Sequence, residues 1–503
     1  MLPNSLCGGI FIMEYCEIMH LSIKQCGILV LIDKRKGLQK MIKTLRIQNF
    51  KGWKDTGTID FAPITLFLGS NSSGKSSIGQ FLMLLKQSCQ SADRQTVLFL
   101  GDSDSVVELG GPVDMLFMHD IENRLDFEYR WSLPKKMTLN TANDADGATN
   151  ATIDELAFHG QVGVFGKENK TLEVEKMAYT AIHDRKELFS VSLDRVKKAS
   201  SARAYKAVAE QYKLVRTSGR AWELPSPYRF YGFPDEMLTY YKNAWFTTQL
   251  NAAQEQLFST VSYIGPIRER GQRHYRWTGF APASVGQTGR DAILALLASR
   301  TQNRHYNFKP KQPLTNLEAI VAKSLKEMGL VEDFEIKQIS ADRQDYDVKV
   351  RTKGSNVLTD IPDVGFGISQ ILPVIVQLYY APANSIIIME QPELHLHPSA
   401  QSALADIMIA AISARENTKP RNIQLIIETH SEHFLRRFQR RIAENKLPAK
   451  DFSAFFANNG SSPASLEPLQ VNLFGEILNW PKNFFGDIKG DIFAQAEAAL
   501  NKR

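Results

Sequence analysis

Gly69-Ser70-Asn71-Ser72-Ser73-Gly74-Lys75-Ser76 decides how this chain folds. The stretch fits the phosphate-binding loop pattern G-x-x-x-x-G-K-[ST]. The apolar run Ile64-Thr65-Leu66-Phe67-Leu68 precedes it, and residues 78–86, with helical character, follow. Strand, glycine loop and helix in that order separate a phosphate cradle from a Gly/Ser-rich surface turn that happens to hold a lysine. Gly69 and Gly74 let backbone N–H groups close around phosphate oxygens, and the helix start adds its positive dipole end. Lys75 is placed to reach the terminal phosphates of a nucleotide, and the Ser76 hydroxyl to ligate Mg²⁺.

Four further features cluster between Asp363 and His433. Asp363-Val364-Gly365-Phe366-Gly367-Ile368-Ser369-Gln370 is a glycine turn opening an apolar helix, a second anion site by the same dipole argument. Ser385-Ile386-Ile387-Ile388-Met389-Glu390 reads as a buried parallel strand ending in a carboxylate, where α/β sheets place ligands. Glu390 at that end can hold Mg²⁺ directly or through water. Gln391-Pro392-Glu393 and Leu394-His395-Leu396-His397-Pro398 follow. Ile423-Gln424-Leu425-Ile426-Ile427-Glu428-Thr429-His430-Ser431 is a second buried strand ending in Glu, Thr and His.

The 503 residues, 43% hydrophobic and 23% charged, describe a globular chain of two or three domains, or one large core with insertions. A net charge of +6 is too small to argue for nucleic acid by itself. Four cysteines (Cys7, Cys16, Cys26, Cys89) form no C-x-x-C pair, so neither a disulfide framework nor a zinc site is expected, and a reducing cytoplasm is. No apolar run is long enough for a membrane span, and the opening segment is a poor signal peptide. Met41 is expected to be the functional start, with residues 1–40 an upstream translation, a loose tail or an element packing through Ile10-Phe11-Ile12 and residues 28–32. Strands are expected over residues 42–50, 124–131, 171–179, 334–337 and 346–350. Residues 141–152 read as a loop, 195–260 as mostly helical and 316–329 as an amphipathic helix.

Arg268, Arg270, Arg273 and Arg276, interleaved with aromatics, can grip phosphates or stack on bases, or serve as a solvated loop or internal latch. His395 and His397 with Glu393 are a metal-ligand alternative to a plain post-strand loop. Residues 435–441 read as an amphipathic helix with a basic face, solvated or on DNA.

Together the motifs resemble the ABC-type ATPases of the SMC and RecF kind, and most closely the bacterial predicted ATPases allied to the overcoming-lysogenization-defect (OLD) proteins. Tyr263-Ile264-Gly265-Pro266-Ile267-Arg268 resembles that group too, and residues 473–486 resemble a C-terminal domain of unknown function found on it. The resemblance runs from Met41 to about residue 487. It implies an α/β fold: a P-loop ABC/RecF-like ATPase head with mixed β-sheets and helices, interrupted by an α+β insertion domain.

The boundaries implied are 1–40 (extension), 41–130 (head, N-terminal half), 131–345 (insertion or arm), 346–445 (head, C-terminal half) and 446–503 (small C-terminal domain). Gly69 to Ser77 become the nucleotide loop; Gly365, Gly367 and Ser369 the signature, pressed onto ATP of a second copy. Glu390 becomes the metal-associated carboxylate and His430 the switch histidine. The family's usual catalytic glutamate is Gln391 here, leaving Glu393 or Glu428 as alternative bases, or slow turnover. Val364 stands where the usual signature serine falls.

ATP and Mg²⁺ are the implied cofactors. Self-association into a sandwiched dimer or higher oligomer is implied, with DNA contact possible. The implied setting is a sensor or scaffold ATPase of anti-phage defence with a separate effector such as a nuclease or toxin. A DNA-clamping repair ATPase and a scaffold with negligible turnover are the alternatives. No acidic cluster resembling the Toprim nuclease of the OLD proteins follows Ser431.

Overall fold

In chain order, the elements that build the site begin with β1 (Ile42–Phe50), β2 (Ile64–Gly69) and α1 (Lys75–Gln90). Five long strands follow: β3 (Leu125–Leu139), β4 (Ala151–Phe165), β5 (Thr171–His183), β6 (Lys186–Arg195) and β7 (Tyr205–Glu210). Then come α2 (Phe246–Ser259), β8 (Val261–Ile264), α3 (Phe366–Tyr380), β9 (Ile386–Glu390), α4 (Pro398–Ser413), β10 (Gln424–Glu428), α5 (Glu432–Ala443) and β11 (Phe452–Asn458). The computed structural model describes residues 38, 40–141, 150–166, 170–196, 204–219, 222–309, 311–458, 463–481, 484 and 488–500. The expectations for residues 1–37, for most of the 141–152 loop and for residues 485–487 lie outside them.

Two sheets share α1. The first is antiparallel, in the order β1-β3-β4-β5-β6-β7, with two short strands (Trp53–Asp55 and Ile59–Asp60) on β1. The second runs β8-β9-β10-β2-β11, all parallel, and ends in the antiparallel strand Ser465–Pro468. Its central strands read as unbroken apolar runs because both faces are covered: every residue of β9 and of β10 is buried. Phe81 of α1 meets Phe50 and Phe127 of the first sheet edge-on, each at 5.2 Å between ring centroids. On the helix's other side a Cβ on Gly79 would lie 3.1 Å from Ile388 of β9. The first sheet's inner face carries an aromatic cluster, Tyr129, Trp131, Phe158 and Tyr179, joined by Phe230 and Phe258. Each such ring contributes about 1.5–3 kcal/mol by leaving water.

Two expectations are corrected. The boundary at 130/131 cuts β3, whose alternating buried positions run from Leu125 to Trp131 and beyond, so the head's first sheet continues into the supposed insertion. β11, in the expected small C-terminal domain (446–503), pairs directly with the phosphate-loop strand β2. Residues 195–260 are not mostly helical: β7 forms there because Tyr205 and its neighbours extend the meander onto β6, and α2 is the long helix. The helix at Leu317–Glu327, capped by the Asn316 side chain, and the strands at Asp333–Gln338 and Asp345–Arg351 match expectation. Among the described residues no helix is long and apolar enough to cross a membrane.

Candidate nucleotide site

The loop from Gly69 to Gly74 bridges β2 and α1 at the carboxyl end of the parallel sheet. Two glycines there are obligatory. Gly69 has φ 142°, and a Cβ would lie 2.2 Å from the Ala457 carbonyl oxygen of β11. Gly74 has φ 86°, and a Cβ would touch the Trp53 ring at 3.0 Å. Trp53 is fully buried and backs the loop. Its indole N–H donates to Ser77 Oγ (2.8 Å) and to the Gly74 carbonyl (3.1 Å). The Ser77 hydroxyl is thus bound to the tryptophan, while the residue still borders the cleft beside the loop.

Lys75, 4% exposed, folds back on its own loop. Its ammonium donates to the carbonyls of Ser70 (2.6 Å) and Gly69 (3.2 Å) and to Ser73 Oγ (3.3 Å). Burial lowers its pKa, against the pull of Glu428. All three acceptors are neutral oxygens, weaker for an ammonium than a charged group would be.

Strand order sets the chemistry. β10 lies between β9 and β2, so Glu390 and Glu428 end neighbouring strands in direct register. Both are buried, and among the described residues Glu390 Oε1 and Glu428 Oε2 have no hydrogen-bond partner. Burial, with Glu428 beside it, pushes the Glu390 carboxyl up to about 7, although the Tyr263 hydroxyl donates to it. Burial likewise raises Glu428, opposed by the Ser76 hydroxyl's hydrogen bond and the Lys75 charge. Two adjacent buried carboxylates with open oxygens, beside a serine hydroxyl, fit a small hard cation. Ser76, Glu390 and Glu428 would hold Mg²⁺. His430, half-buried in the same cleft, is lowered by burial and by Lys75, which keeps its imidazole neutral at pH 7.

A cleft of about 710 Å³ gathers Asn71 to Ser77, Gln391, Glu428 and His430. Gln391 holds a left-handed turn (φ 44°), its N–H donating to the Glu428 carbonyl at 2.8 Å. Glu393 does not line the cleft. It is 5% exposed, and its Oε1 accepts from Thr429 Oγ1 (2.6 Å) and the His430 N–H (3.1 Å). This carboxylate, expected as one alternative base, fastens the histidine's loop.

Gly365, Gly367 and Ser369 do not line it either. They open α3 elsewhere, and Ser369 Oγ is spent on the Phe366 carbonyl at 2.8 Å. Phe366, exposed at the helix start, packs edge-on against His395 at 4.8 Å, with the Arg270 guanidinium 5.6 Å from its ring centroid.

Arg268 is the residue whose role the sequence left open, and the structure makes it an internal latch. It is 4% exposed and donates to the carbonyls of Gln391 (3.0 Å), Glu390 (3.1 Å) and Gln370 (3.3 Å). Gln370 Nε2 returns a bond to the Arg268 carbonyl at 3.2 Å. One side chain thus ties the carboxylate turn to α3. Arg273 is taken by Asp363 and Asp360. On α5, Arg437 and Arg441 both bind Asp406 of α4, while Arg436 and Arg440 pair with Glu432 and Glu444. His397 caps α4, and neither it nor His395 joins a metal-ligand cluster among the described residues. Lys51, Gln80, Phe117 and Met118 also line the cleft. No sequence pattern had marked them: Lys51 comes from a turn, Gln80 from α1, and Phe117 and Met118 from a loop.

A model described as AAA ATPase domain matches residues 41–209 and 293–435. The chain belongs to the AAA ATPase domain family. It is therefore an ATP-binding ATPase by class. A second model, a protein family of unknown function (DUF3696), matches residues 447–495, which include β11. The solved structures it resembles include an SMC head bound to the C-winged helix domain of ScpA, at 10% identity, covering 86% of this chain and 98% of that chain with a TM-score of 0.37. The SMC head domain from Thermotoga maritima matches at 9% identity, 86% and 100% coverage and a TM-score of 0.38. A search of curated proteins found no match.

Proposed function

We propose that this chain is a Mg²⁺-dependent, ATP-hydrolysing switch in which two copies close around bound ATP. One observation carries the reading: Glu390 and Glu428 are buried side by side with open oxygens, and Glu428 stands beside Lys75 and Ser76. A bound Mg²⁺ would neutralise charge on the phosphates and polarise them. Lys75 would exchange its loop carbonyls for phosphate oxygens, and His430 would hydrogen-bond the terminal phosphate.

Gln391 orients water at the strand end but accepts no proton, so turnover is slow. The signature glycines, held outside the cleft on an exposed helix start, are left for a second copy's phosphate. The cellular setting we infer is the cytoplasm, with the chain as sensor or scaffold for a separate effector, such as a nuclease or toxin, in anti-phage defence. The motif resemblance to the OLD-allied ATPases supports this. The DNA-clamping alternative loses two of its four arginines, because Arg268 is buried and Arg273 is ion-paired.

Hydrolysis by wild type and Lys75→Ala tests the enzyme. The variant should lose on the order of 10²-fold in kcat/KM, the scale of one charged contact to the transferring group. Equal rates would sink the proposal. Mass measured with Mg²⁺ and a non-hydrolysable ATP analogue should double, and Phe366→Asp should stay monomeric. For the setting, Lys75→Ala should abolish protection in a phage plating assay run with the neighbouring genes; unchanged protection would refute it.

A further inference from the structure

We propose that Phe117 and Met118 form the nucleobase platform of this site, an inference resting on the nucleotide reading above. Three observations carry it. First, Met118 is 72% exposed and lies in the cleft beside Phe117, which is half-buried. The other lining residues are polar or glycine except Ala464, so these two supply most of the apolar surface. A triphosphate occupies the loop and the start of α1, and its base is the part of the ligand that gains from an apolar wall.

Second, the backbone is strained where Met118 is presented. Met118 (φ 55°, ψ 20°) and His119 (φ 54°) are consecutive left-handed non-glycine residues. Such conformations persist only where the surroundings impose them, and they gather at ligand clamps.

Third, the hook is fastened to the cleft wall. The Lys51 N–H donates to the Met115 carbonyl at 2.8 Å, and Phe50 bridges Leu116. The Lys51 ammonium donates to Gln80 Oε1 at 2.6 Å, five residues up α1 from Lys75. That pair lies about 7.5 Å along the helix from the phosphate end, at about 1.5 Å per residue. Phe117 offers a ring for stacking, and Met118 a polarisable thioether that adapts to either purine.

The test compares ATP with inorganic tripolyphosphate, which keeps the phosphates and lacks the base. Calorimetry with the full chain and Mg²⁺ gives Kd for both. Phe117→Ala combined with Met118→Ala should weaken ATP by about 10- to 100-fold, the range for losing base stacking, and leave tripolyphosphate unchanged. Met118→Leu should restore part of the loss. Lys75→Ala should weaken both ligands. Unchanged ATP affinity in the double variant overturns the platform and leaves the ATPase reading standing, as does a parallel loss of tripolyphosphate. A wild type that binds neither ligand takes both readings down.

Discussion

Replacing Arg268 separates holding ATP from using it. The guanidinium is buried without a direct carboxylate bond and donates to three carbonyls, those of Glu390, Gln391 and Gln370. Burial draws its pKa down to about 10, so it stays charged at neutral pH. Arg268→Met keeps the apolar stem and removes every donor. Hydrogen bonds from a charged group contribute about 1.5–3 kcal/mol each, and removal of the desolvated charge offsets part of that. A net loss of about 2–4 kcal/mol at the turn is expected.

That turn carries Glu390 and Gln391, and a shift of about 1 Å there costs on the order of 10²-fold in rate. Arg268 does not line the cleft, so Kd for Mg-ATP should stay within about threefold (roughly 0.6 kcal/mol). Calorimetry gives the affinity, single-turnover hydrolysis the rate, and thermal melting the integrity of the fold. Arg268→Lys, which keeps charge but not the fork, should fall between. A folded Arg268→Met with wild-type turnover refutes the argument. So does a Kd that rises as far as the rate falls.

Two further outcomes are expected. Gly69→Ala places a Cβ 2.2 Å from the Ala457 carbonyl at a φ of 142°, so β2 and β11 must part. A stability loss of about 2–4 kcal/mol should appear in denaturant unfolding, together with loss of ATP binding; a change below about 0.5 kcal/mol would contradict the geometry. Glu390 sits at about 7 in the folded state against an ordinary glutamate value of 4.5, so the native state holds a proton that the unfolded state releases. Its stabilising contribution is complete below pH 4.5 and is lost as pH rises through 7, about 3 kcal/mol in all. Saturating Mg²⁺, which favours the carboxylate, should flatten that slope in melts between pH 5 and 8; a slope unchanged by Mg²⁺ would remove Glu390 from the metal site.

The phosphate loop was legible because its chemistry is local. Glycines at 69 and 74, an apolar strand before them and a helix after them need no knowledge of the rest of the chain. The runs ending in Glu390 and Glu428 were legible for a similar reason: strands covered on both faces are apolar throughout. β7 and the true extents of β3 and β11 were not, because strand pairing is set by partners distant in sequence. Phe117 and Met118 were invisible for a related reason, being ordinary loop residues until a backbone hook fixes where they point.

Sequence by itself determined that a triphosphate-binding turn opens a helix, and that two strands end in carboxylates. Tertiary structure decided what those ends do. Inserting β10 between β9 and β2 sets Glu390 against Glu428 beside Ser76, and burial then raises both carboxyls and leaves an oxygen of each open. It also turned Arg268 inward to bind carbonyls and Glu393 away to hold His430. A charged residue's letter carries no record of burial. Desolvation and neighbouring charge exist only once distant segments of the chain have met.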